Sequence, residues 1–64
     1  MATNTHTFSK GETFDGMIED ETITIQEVNE HTIVWDYIVN GETLGRNTIE
    51  KETARLFVKS GTWK

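Results

Sequence analysis

A few groups of residues in this chain of 64 have types and spacings that could carry chemistry. Glu19-Asp20-Glu21, with Asp15 close by in sequence, could offer oxygen ligands to a hard cation. Calcium sites need about six to eight oxygens on a loop of defined spacing, and the Asp-x-Asp-x-Asp-Gly order is missing, so the cluster reads as a solvated turn. His6 and His31 lack a His-x₃-His spacing, and no cysteine exists to complete a zinc site, which makes each a surface histidine. Ser9 and Ser60 have no flanking motif that would activate a hydroxyl, and the glycines lack the spacings that cradle phosphate. The expectation is a chain that is not an enzyme, with no cofactor and no metal.

Two further groups carry binding rather than catalysis. Trp35 and Tyr37 alternate on one face with Phe14 expected near them, which could cage a methylated amine or stack bases. Core packing is the stronger reading, because without these rings the apolar volume cannot close a core. Lys51, Arg55 and Lys59, at four-residue steps, would line one stripe of a helix and offer phosphate contacts. The competing reading is a solvated face with cations near a helix C-terminus and Glu52 pairing with Arg55.

Composition bounds these options. Eleven acidic against six basic residues give a net charge of −5, which opposes docking on a phosphate backbone and makes nucleic acid an unlikely partner. The same acidity suits solubility or adaptation to high salt. Apolar residues make up 34% of the chain, enough for one narrowly stable domain of about 3–5 kcal/mol. Without cysteine there are no disulfides, and no apolar run approaches a membrane span or a signal-peptide core, so a cytoplasmic location is expected.

The elements that must position these residues are mostly strands. Residues 1–10 read as a flexible or edge segment pinned by Phe8, and residues 11–64 as a single domain. Residues 13–18 and 22–27 alternate with period two, and residues 31–39 run into Asn40-Gly41, a strong hairpin signal. A three-residue loop at Val28-Asn29-Glu30 would set Ile25 against Ile33 and Ile23 against Trp35, and the Asn-Gly turn would set Tyr37 against Leu44. The expected core face is then Phe14, Ile18, Ile23, Ile25, Ile33, Trp35, Tyr37 and Leu44. Asn47-Thr48-Ile49-Glu50 has the residues of a helix capping box, and Ile49, Thr53, Leu56, Phe57 and Ser60 follow at helical spacing up to Gly61, with Trp63 folding back.

The chain therefore reads as an α+β domain: an antiparallel meander of three or four strands over residues 12–46, packed by one C-terminal helix at about 48–60. An all-β alternative exists, because the strand-turn-strand ending in Val34-Trp35-Asp36-Tyr37 resembles SH3-like barrels over residues 11–39 at most, without a diagnostic motif. Gly11-Glu12-Thr13-Phe14 is also echoed by Gly41-Glu42-Thr43-Leu44, and Ile18-Glu19-Asp20-Glu21-Thr22 by Ile49-Glu50-Lys51-Glu52-Thr53. A true duplication would turn residues 53–59 into a fifth strand. Val34 and Ile38 fall on the face opposite Trp35 and Tyr37, with Met17 placed beside them, which marks a self-association or partner interface. The expected function is a protein-protein interaction module whose partner is an unidentified protein or a second copy. The alternative is a nucleic-acid or small-ligand binder that uses the basic stripe and the sheet aromatics.

Overall fold

Thr13–Asp15 (β1), Glu21–Val28 (β2), Thr32–Val39 (β3) and Glu42–Glu50 (β4) form an open antiparallel sheet in sequence order, and Lys51–Ser60 (α1) packs on one face of it. This is the α+β meander with one helix, seen in a computed structural model that describes residues 6–64. The sheet does not close into a barrel, and residues 52–59 are helical, so neither the SH3-like alternative nor a fifth strand is found. The repeated Gly-Glu-Thr phrase has a local cause: Gly11 and Gly41 both take left-handed φ values, 89° and 80°, just before a strand.

Two bulges set the register. Val28 pairs with Ile33, and the extra residue Gln26 then brings Ile25 opposite Trp35 and Ile23 opposite Tyr37. Against the expected pairing, residues up to Ile25 slip by two, which keeps their side chains on their own face, whereas beyond the bulge the slip is three, which turns Glu27 to the face of Val34 and Val28 to that of Ile33. In β4, Val39 pairs with Glu42 as expected, but Tyr37 meets Gly45 and Leu44 is left out of the ladder. Leu44 is consequently 58% exposed instead of lying in the core. Ile18, also expected inside, is 58% exposed because β1 stops at Asp15 and residue 18 belongs to the following turn.

The core is built from Phe8, Phe14, Ile23, Ile25, Ile33, Ala54 and Trp63, with Val28, Trp35, Ile49, Phe57 and Val58 packed against it. Trp63 is its hub, with ring centroids 5.1 Å from Trp35, 5.3 Å from Phe57 and 5.5 Å from Phe14. Phe8 closes the same cluster, so the core draws on the segment before residue 11. Residues 1–5, for which a flexible or edge role is expected, lie outside the described residues. The chain returns to β1 at its other end, where Asp15 and Lys64 exchange two backbone hydrogen bonds of 2.9 and 2.8 Å.

The helix begins three residues later than its sequence suggests. Asn47 to Glu50 remain in β4, no capping box forms, and the Lys51 N–H donates instead to the His31 carbonyl at 2.8 Å. Ile49 is therefore a strand residue, paired with Ile33, and a helical stripe counted from it is out of phase. Ala54, Phe57 and Val58 turn inward, while Leu56 is 62% exposed. Gly61 ends the helix at φ 86°, and the Trp63 N–H donates to the Phe57 carbonyl at 3.1 Å, which folds Trp63 back as expected.

Candidate functional site

The helix is shorter than the sheet it covers. Ten residues of α1 span about 15 Å, against about 26 Å for the eight residues of β3. At one end of the sheet the cover gives way to a groove of about 230 Å³, with Met17 and Ile18 on one side, Ile23 and Tyr37 along the sheet, and Trp63 opposite. Two turns meet at this end and are locked together, since the Asn40 N–H donates to the Asp20 carbonyl at 3.0 Å. Asp20, Asn40 and Gly41 hold φ values of 64°, 53° and 80°, which Asn, Asp and Gly tolerate best.

Glu21, the first residue of β2, puts a carboxylate into the groove. Its Oε1 accepts the Ile18 N–H at 3.0 Å, and its backbone carbonyl accepts the Gly16 N–H at 2.8 Å. A Cβ at residue 16 would run into the Glu21 side chain, so the glycine makes room for the carboxylate. The Ile18 N–H, and next the Tyr37 hydroxyl, hold the Glu21 carboxyl below its usual 4.5, against the opposing effect of burial. The same contact with Glu21, aided by burial, holds the Tyr37 proton above the usual 10.0.

Among the described residues, no helix covers the opposite face of the sheet. Thr13, Thr24, Asp36 and Arg46 lie in one row across it, and Thr22, Ile38 and Thr43 in the next. Arg46 clamps Asp36 with both arms of its guanidinium, Nε to Oδ1 at 2.7 Å and a terminal nitrogen to Oδ2 at 3.2 Å. Asp36 is only 6% exposed, and the Arg46 hydrogen bonds pull its carboxyl below the usual 3.8 against burial. Val34 and Ile38 are half-buried on this face. Met17, by contrast, is 74% exposed in the 16–20 turn and lines the groove on the helix side, so it is not beside them.

The basic stripe keeps its spacing but not its freedom. Lys51 and Arg55 border a depression of about 330 Å³ at the start of α1 that also contains Glu30, Glu50 and Glu52. The Arg55 Nε–H donates to the His6 carbonyl at 3.0 Å. Arg55 thus ties the N-terminal segment to the helix, and Lys59 at the far end is exposed. Trp35, Phe14 and Trp63 pack edge-on or tilted in the core, which leaves Tyr37 as the aromatic residue of the expected cage that reaches a groove.

Sequence reasoning missed Gly16, Glu21 and Trp63 as groove residues. Their signal was weak: a glycine on the apolar side of a period-two run, followed by an acid at the start of the next strand. Among the described residues no cluster of His, Cys, Asp and Glu is arranged to hold a metal ion, and no helix is long and apolar enough to cross a membrane. No family model, curated protein or solved structure matches the chain.

Proposed function

We propose that the chain is a non-catalytic protein-interaction module whose partner is another protein or a second copy. The observation that carries this reading is the exposed apolar surface at one end of the sheet, where Met17 and Ile18 in the 16–20 turn and Leu44 in the bulge of β4 are between 58% and 74% exposed. Large apolar side chains turned outward together cost solubility unless another surface covers them. Val34 and Ile38, half-buried on the helix-free face, supply a second apolar strip. The cytoplasm is the compartment that the cysteine-free composition suits.

Two double variants test the reading in the lysate of the host by chemical cross-linking, with near-ultraviolet circular dichroism as the folding check. These are Val34→Lys with Ile38→Lys, and Met17→Ser with Ile18→Ser. A cross-linked product of the parent that disappears in either folded variant supports a protein interface and assigns it to a face. A parent that forms no product and sediments as a monomer at high concentration removes the reading. Oligonucleotide binding tighter than about micromolar with a clear salt slope would instead favour the basic stripe of Lys51, Arg55 and Lys59.

A further inference from the structure

We propose that the groove between the 16–20 turn, Tyr37 and Trp63 takes one lysine or arginine side chain from a basic, apolar-flanked segment of a partner protein. This rests on the reading of the chain as a protein-binding module and adds the chemistry of the partner. Size is the first argument. A cavity of about 230 Å³ lies below the range of about 300–1,000 Å³ usual for cofactors and drug-sized ligands, and suits a single long side chain. Its walls are the second: Met17 and Ile18 offer an exposed apolar track for a methylene stem over the buried floor of Ile23 and Trp63, ending at a carboxylate.

Charge decides what sits at the end of that stem. Glu21 is fixed by the Ile18 N–H and faces Tyr37, which leaves acceptor capacity on a group with about four lone-pair sites. Asp36 is already paired with Arg46, Glu12 is hydrogen-bonded to the His6 ring, and Glu30 lies 3.8 Å from the His31 ring. Glu42 stands in register with Glu21 across Val39, and Glu19 and Asp20 lie in the turn that leads into Glu21. An acidic rim of this kind draws in a basic segment and repels phosphate. A neutral side chain would cover Glu21 without supplying a counter-charge, which is unfavourable. The exposed side chains of Met17 and Ile18 at the groove then meet the apolar residues that flank the cation.

Titration of the nitrogen-labelled chain with a blocked Leu-Lys-Leu peptide, and with its arginine, norleucine and glutamate counterparts, tests the proposal through amide and indole chemical shifts. The lysine and arginine peptides are expected to shift Gly16 to Glu21, Tyr37 and the Trp63 indole, with the norleucine peptide at least about tenfold weaker. Glu21→Gln should weaken the lysine peptide by about tenfold and leave the norleucine peptide unchanged. Gly16→Ala, which keeps the carboxylate but displaces it, should give the same loss and serves where Glu21→Gln does not fold.

Equal binding of lysine and norleucine peptides overturns the partner chemistry, and shifts confined to Val34 and Ile38 overturn the site. Concentration-dependent shifts of the groove residues without peptide would make a second copy the occupant and overturn the proposal as well. In these three cases the chain remains an interaction module. Silence of every peptide overturns the groove; the module reading falls with it only if the parent also forms no cross-linked product.

Discussion

Asp36 lies on the helix-free face of the sheet and is nonetheless buried, because Arg46 lies over it from the next strand. Its folded carboxyl binds a proton less readily than the unfolded chain does, so the stabilisation is complete above its ordinary 3.8 and is lost as pH falls through the lower folded value. The thermal midpoint of the parent should therefore fall below about pH 4 more steeply than that of Asp36→Asn, as read by circular dichroism. Tyr37 has the opposite sign. Its raised value gives a contribution present below 10.0 and lost as pH rises through the folded value. Gly16→Ala, by pushing the Glu21 carboxylate aside, should return the Tyr37 titration toward 10.0, and a single tyrosine makes the absorbance change unambiguous. The buried Trp35 Nε1–H has no acceptor among the described residues, and the ring packs edge-on against Trp63.

At the scale of elements, the strands were legible because β-branched residues at period two and an Asn-Gly turn act locally. The registers were not, since Gln26 and Leu44 give no outward sign that they fall outside the ladder. The helix was legible by existence and end, through Gly61, but not by phase. Its start is fixed by the non-local hydrogen bond from Lys51 to His31 rather than by a capping side chain. The candidate groove was least legible, because it forms where the 16–20 turn, β3 and the segment after α1 converge. Leu56→Ala should cost less than about 0.5 kcal/mol, as an exposed position allows. Phe57→Ala, which strips a ring from Trp63, should cost about 2 kcal/mol or more. Urea unfolding of both variants reverses the phase if Leu56 proves the costly one.

For the whole molecule, stability depends on two returns of the chain to the sheet: Phe8 before it, and Trp63 with Lys64 after it. The β2-β3-β4 meander joins neighbours in sequence, whereas Arg55 reaches back 49 positions to His6 and Lys64 bridges to Asp15. Short loops close at lower entropic cost than long ones, so the hairpins should gather early and the two terminal segments should dock late. Substitutions should then separate by rate. Gly41→Ala, which strains a left-handed turn between β3 and β4, should slow refolding. Trp63→Phe, which loosens a late contact, should leave refolding almost unchanged and speed unfolding, and the two arms of a chevron plot would show which limb each variant moves. The same late docking would make the groove itself a late product, since Trp63 is one of its walls, and a chain with its terminal segments undocked should have a meander but no pocket.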